Sequence, residues 1–224
     1  VISNDLQTSD NGITWTCTFT PTDDIEDTTN ILELSGTYTD VAGNTGVTNT
    51  SIDNKTANYI IDTKESTVSS FVMNDTELKN GETSNVTLVF SEEVQNFNSN
   101  EDITVLKGVL SMMSSTDNIT WSGSFTPTND MDSTTGKLIL NDTYTDLAGN
   151  TPVTNSTINF ALDTKLPTVV SFTMDYPALI AGETSNVELI FSEVVTGFNS
   201  NDDISITNGK GTLSLMTSND NITW

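Results

Sequence analysis

Among side chains able to do chemistry, oxygen acids dominate this 224-residue chain: 31 aspartates and glutamates stand against seven lysines, with no arginine, no histidine and one cysteine, for a net charge of −24. The commonest general acid–base residue is therefore missing, as is the guanidinium that so often clamps a developing negative charge. Carboxylate chemistry remains. Paired carboxylates serve glycoside hydrolysis as acid and base, and carboxylates grouped with amide and carbonyl oxygens hold hard divalent cations such as Ca²⁺. The residues positioned for either task are Asp62, Glu92, Asp146 and Asn150, with Asp24 and Asp27 upstream and Asp163 and Glu193 downstream. Glu93 is a weaker candidate, because Val194 stands at the matching place further along.

The elements that must position these acids repeat. Asp62-Thr63-Lys64 returns as Asp163-Thr164-Lys165, and Gly81-Glu82-Thr83-Ser84-Asn85 as Gly182-Glu183-Thr184-Ser185-Asn186, each 101 residues on. Phe90-Ser91-Glu92 returns as Phe191-Ser192-Glu193, Ile13-Thr14-Trp15 as Ile119-Thr120-Trp121 and Ile222-Thr223-Trp224, and Tyr38-Thr39-Asp40 as Tyr144-Thr145-Asp146. A fixed period of this kind marks an array of like units. It divides the chain into residues 1–61, carrying the last three strands of one unit, a complete unit at 62–162, and residues 163–224, carrying the first strands of a third up to the start of strand five.

Within the complete unit, short alternating runs lie between turn clusters. The run Asn85–Ser91 puts Val86, Leu88 and Phe90 inward with Thr87 outward, and further runs cover Thr67–Met73, Ile103–Leu106, Val109–Ser114, Ile119–Thr126, Leu138–Thr145 and a last strand ending in Ile158, Phe160 and Leu162. Asn80-Gly81-Glu82, Lys107-Gly108, Thr116-Asp117-Asn118 and Asp146-Leu147-Ala148-Gly149-Asn150 read as turns, and Asn129 to Thr135 as a polar loop. Seven strands in about 100 residues with regular turns predict an all-β fold, tandem immunoglobulin-like β-sandwiches in a rod-like array. Trp15, Cys17 and Phe19 share one face of a strand, and the thiol reads as a small buried hydrophobe.

Alternating strand direction assigns the acids to ends. Ser91-Glu92 closes an upward strand, Asp146 and Asn150 follow another, and Asp62 lies on the junction itself. The loop Asp23-Asp24-Ile25-Glu26-Asp27 of the preceding unit faces the same seam. At least four acidic groups thus converge between neighbouring units, where a Ca²⁺ ion would turn repulsion into coordination. Asp163 and Glu193 repeat the arrangement. Asn98-x-Asn100-x-Asp102 and Asn199-x-Asn201-x-Asp203 also alternate oxygen donors, but these residues make turns through local backbone hydrogen bonds, and no glutamate follows at EF-hand spacing.

Phe90-Ser91-Glu92, the Ile-Thr-Trp strand opening, Phe125-Thr126-Pro127-Thr128, Tyr144-Thr145-Asp146-Leu147-Ala148-Gly149-Asn150 and the Asp-Thr-Lys junction, taken in order, resemble the bacterial Ig-like repeat. Tandem copies of that repeat build the extender regions of giant secreted adhesins, including RTX-type and biofilm-associated proteins. The resemblance implies calcium at the domain junctions, an extracellular or cell-surface location, and neighbouring repeats as partners. The family usually carries proline soon after the Asp-Thr-x junction; Pro167 supplies it once, while the first junction reads Glu65-Ser66.

Function classes narrow accordingly. A surface this negative repels nucleic acid and anionic membranes, and no apolar run reaches ~18 residues. The candidate acids recur at unit ends instead of lining a cleft, so catalysis is not expected. The chain reads as spacer domains of a long bacterial surface or secreted adhesin. The alternatives are a self-assembling filament or matrix subunit, in which identical chains complete one another's half-domains end to end, and a carbohydrate-binding module using Trp15 and Trp121. Alternation buries those two rings and ranks that last reading lowest.

Overall fold

Two facing β-sheets make the complete repeat, as the alternation in residues 85–91 requires. The computed structural model describes residues 6–36, 38–46, 55–152 and 156–224. The first segment carries β1 (Gln7–Thr8), β2 (Trp15–Thr16), β3 (Glu26–Asn30) and β4 (Tyr59–Asp62). The middle repeat carries β5 (Val68–Met73), β6 (Glu77–Lys79), β7 (Ser84–Phe90), β8 (Val94–Gln95), a single helical turn α1 (Ser99–Asp102), β9 (Ile103–Leu106), β10 (Gly108–Leu110), β11 (Thr120–Pro127), β12 (Asp132–Leu140), β13 (Thr145–Asp146) and β14 (Ser156–Asp163). The last segment carries β15 (Val169–Met174), β16 (Val187–Phe191) and a second helical turn α2 (Ser200–Asp203). By contacts the chain forms two compact units: Val1–Leu78, Glu82–Thr128 and Ser133–Leu162 in one, Asp163–Trp224 with Lys79–Gly81 and Asn129–Asp132 in the other.

In the middle repeat one sheet has the order β10-β11-β7-β5 and the other β6-β14-β12-β9, with β13 and β8 as a short extra pair. Strand β7 supplies Val86, Leu88 and Phe90, buried on one face, while Thr87 lies part-exposed on the other. The second sheet answers with Leu138 and Leu140 from β12 and Ile158, Phe160 and Leu162 from β14. Phe125 and Phe160 meet edge to face, with ring centroids 4.7 Å apart. The absence of a side chain at two places allows this contact: a Cβ on Gly108 would overlap the Phe125 ring, and one on Gly136 the Phe160 ring. Toward one end, Phe90, Phe97, Tyr144 and Trp121 form a second aromatic cluster.

The second unit copies this plan at higher exposure. Strands β15 and β16 pair with the same irregularity near their start as β5 and β7, between Val169 and Ser171 as between Val68 and Ser70. Phe198 meets Trp224 edge to face at 4.9 Å as Phe97 meets Trp121 at 4.8 Å. Only one two-stranded sheet forms among the described residues of that unit, so Phe172, Met174 and Ile180 stay exposed.

Several sequence expectations are corrected. The polar loop Asn129–Thr135 is shorter than predicted, because β12 already begins at Asp132. Its Ser and Thr residues suit a solvent-facing strand. The same strand stops at Leu140 instead of Thr145. There the Asn141 amide donates to the Asp102 carbonyl (2.8 Å) and the Thr143 hydroxyl to the Asp102 carboxylate, and the chain turns Tyr144 into the core. Cys17 is exposed, not buried, and so are Trp15 (54%) and Phe19 (37%). The described strands around them form only two-stranded sheets, β1 with β2 and β3 with β4, and no facing sheet covers their apolar side.

Candidate functional site

The three acids expected at the first seam meet. Carboxylate oxygens of Asp62, Glu92 and Asp146 all lie within 4.8 Å of one another, the one such group of three among the described residues. Each arrives on a different element. Asp62 ends β4, where it pairs across with Glu26 of β3. Glu92 follows β7 just past the last cross-strand bond to the start of β5, from the Ser91 amide to the Thr67 carbonyl (2.8 Å). Asp146 sits in β13 opposite Val94 of β8.

Asp146 is fully buried and its carboxylate organises the turn after it. Its Oδ1 accepts from the amides of Gly149 (2.8 Å) and Asn150 (2.9 Å), and its Oδ2 from the Asn150 side-chain amide (2.8 Å). The positive φ of 98° at Gly149 lets the turn close. The same turn recurs at Asp40, which accepts from the Asn44 amide (2.8 Å) and its side chain (2.7 Å). There the carboxylate is exposed, and the Asn44 hydrogen bonds hold it below the usual aspartate range. The same turn-building aspartate thus stands exposed at position 40 and buried beside Asp62 and Glu92 at position 146.

The cluster carries uncompensated charge. Burial pushes the Glu92 carboxyl above its ordinary range, reinforced by Asp146, Asp62 and Glu26 and countered by Lys64. The Lys64 ammonium lies 3.7 Å from Glu26, with both side chains substantially exposed, a pair that contributes little by itself. Oxygen donors crowded around this surplus of negative charge can take a hard cation.

The other candidates divide. The side-chain amide of Asn150 reaches the Asp62 and Lys64 carbonyls, each at 3.3 Å, as well as Asp146, so it ties the junction to the turn. Asp24 and Asp27 do not join the cluster. Asp24 is exposed at a left-handed position (φ 60°), and Asp27 accepts from the amide and hydroxyl of Thr29. Glu26, in the same loop, faces the site. Its membership of the acidic loop was visible in the sequence, but its pairing with Asp62 is a matter of strand register, where one residue of slip exchanges the faces. In the second unit, Asp163 and Glu193 line one shallow pocket together with Lys79, Lys165 and Asp203. One Glu193 carboxylate oxygen is buried there without a hydrogen-bond partner. Residues 163–224 contain no counterpart of Asp146.

Both Asn-rich segments are capped helical turns. Asn98 accepts from the Asn100 amide, Asp102 from the Asn98 amide (2.7 Å), and Asn199 and Asp203 do the same one repeat on. These bonds serve the backbone, as the turn reading expects, while the Asp102 carboxylate also accepts from the Thr143 hydroxyl.

Neither a curated protein nor a solved structure matches the chain. A family model described as the bacterial Ig-like domain matches residues 3–57, 62–162 and 163–224. With two facing antiparallel sheets in the complete repeat and a match over nearly its whole length, the chain belongs to the bacterial Ig-like domain family.

Proposed function

We propose that these domains are structural spacers of a long bacterial surface or secreted adhesin, and that Ca²⁺ held by Asp62, Glu92 and Asp146 stiffens the junction between consecutive repeats. The observation that carries the reading is the meeting of three carboxylates, one on the junction itself and two from loops of the repeat that follows it, within 4.8 Å. The donor set fits. Asp146 accepts three N–H groups on two oxygens with about four lone-pair sites, which leaves one free to face a cation. Calcium takes six to eight oxygens at flexible geometry, so backbone carbonyls and water would complete the shell. The ion would supply positive charge where burial and like-charge repulsion already favour a protonated Glu92.

A structural role also accords with the family and with acids that sit at a repeat junction. Extracellular placement suits a hard-cation site of this kind and the strong negative charge. Among the described residues no helix is long and apolar enough to cross a membrane. Calorimetric titration of the chain with Ca²⁺, paired with small-angle scattering in calcium and in chelator, tests the proposal. A saturable heat and a scattering profile that loosens on chelation are expected. No heat, with superimposable profiles, would refute it.

A further inference from the structure

Between one repeat and the next the chain runs Asp62-Thr63-Lys64-Glu65-Ser66-Thr67, and again Asp163-Thr164-Lys165-Leu166-Pro167-Thr168. A connecting segment of this kind is ordinarily the softest part of a tandem array. Here both of its ends are tied by hydroxyls. The Thr63 amide donates to the Ile25 carbonyl (2.8 Å), while its Oγ1 accepts from the Ile25 amide (3.1 Å) and donates to the Thr22 carbonyl (2.8 Å). Thr164 does likewise with Met131: its amide donates to the Met131 carbonyl (2.7 Å) and its Oγ1 accepts from the Met131 amide (3.0 Å). The two loops so gripped differ in sequence, yet Asp24 and Asp130 share the left-handed conformation, at φ 60° and 57°.

The far end is gripped in mirror fashion. The Thr67 amide donates to Ser91 Oγ (2.9 Å), and the Ser91 amide to the Thr67 carbonyl (2.8 Å). Thr168 and Ser192 repeat the pair at 2.9 and 2.8 Å. At Thr63 one hydroxyl accepts from a backbone amide and donates to a backbone carbonyl, which valine could not do, and at Ser91 the hydroxyl accepts a backbone amide that alanine would leave unpaired. Ser66, in the stretch between the clasps, is itself 1% exposed.

We propose that this pair of hydroxyl clasps pins both ends of the Lys64–Ser66 stretch at the first junction and holds Asp62 beside Glu92 without help from a cation. The clasps stand on backbone and hydroxyl geometry alone, so the inference is independent of the calcium reading. Its recurrence at Thr164 and Thr168 makes it a property of the repeat. At that second junction proline occupies the place of Ser66 and fixes φ near about −65°.

The test is amide hydrogen exchange by NMR on the whole chain, in chelator and then in calcium, for the wild type, Thr63→Val and Thr63→Ser. In chelator, Thr63→Val accelerates exchange at the Ile25 amide roughly fivefold, the equivalent of one net hydrogen bond, and Thr63→Ser returns it to the wild-type rate. The Leu88 amide, deep in the sandwich, stays unchanged in all three. Ser91→Ala provides an independent arm and accelerates the Thr67 amide by a similar factor. Wild-type exchange at Ile25 in Thr63→Val, or no rescue by Thr63→Ser, would overturn the proposal. So would protection of Ile25 that appears only with calcium, since the ion and not the hydroxyl would then be the clasp. Clasp effects that persist in a protein showing no calcium response would uphold this inference while removing the cation.

Discussion

Replacing Glu92 by glutamine tests the seam most sharply, because the two readings of the residue give opposite signs. In the folded protein its carboxylate faces two others at no more than 4.8 Å. At that distance each like-charge pair costs about 1 kcal/mol with water-like screening and about 3.5 kcal/mol at an effective dielectric of 20. Glu92 is only part-buried, so the screened value sets the floor of the expected effect. Glu92→Gln removes two of the three repulsions and should stabilise the calcium-free repeat by about 2 kcal/mol at low salt. For a domain of this size that raises the melting temperature by roughly 8–16 °C.

With calcium the order reverses. An ion at a hundred times its dissociation constant stabilises the wild type by about 2.7 kcal/mol, and the variant keeps little of that gain. The pH dependence supplies a further check. Because the folded pKa of Glu92 lies above its unfolded value of 4.5, the stability linked to its proton is fully present below 4.5 and is lost as pH rises through the folded pKa. In chelator, therefore, the wild type loses stability over that window and Glu92→Gln does not. Thermal melts of both proteins, in chelator and in calcium across pH, read all three effects. A variant less stable than the wild type in chelator, or with an undiminished calcium response, would refute the electrostatic account.

Other consequences concern the sandwich itself. Gly136→Ala places a methyl group inside the Phe160 ring and should cost about 1–3 kcal/mol by overpacking. At an open strand position the same change would stabilise, so a raised urea midpoint would show that Phe160 does not pack there. Tyr144 is fully buried with no partner for its hydroxyl, and burial, followed by Asp102 and Asp142, pushes its pKa up to about 12. Tyr144→Phe removes an unmade hydrogen bond whose desolvation costs about 1–3 kcal/mol, so the urea midpoint should hold or rise, and a clear fall would reveal a missed partner. Asp117 caps the turn before Trp121 by accepting from the amides of Thr120 (2.8 Å) and Ile119 (3.0 Å), which lowers its pKa below 3.8. Its contribution is present above 3.8 and is lost as pH falls through the lowered value. Asp117→Asn should flatten that part of the acid-unfolding curve, and an unchanged curve would exclude the cap as its origin.

The sequence alone was enough for whatever depends on period and local chemistry. Alternation in residues 85–91 set which face of β7 is buried, because side chains change sides at every residue whatever lies opposite. The recurrence of Asp-Thr-Lys, Phe-Ser-Glu and Tyr-Thr-Asp identified Asp62, Glu92 and Asp146 as acids at the ends of strands, and strand direction put them at one seam. Register and packing were settled only in three dimensions. That Glu26 and not Asp24 or Asp27 faces Asp62 follows from which residues pair between β3 and β4. That Trp15 and Cys17 lie open while Trp121 packs on Phe97, in the loop before α1, follows from what another part of the chain brings against each face. The early end of β12 and the grip of Thr63 on Ile25 likewise join residues some forty positions apart. A strand's own residues decide its two faces, but what each face meets is decided by another part of the chain, and only the folded molecule brings the two together.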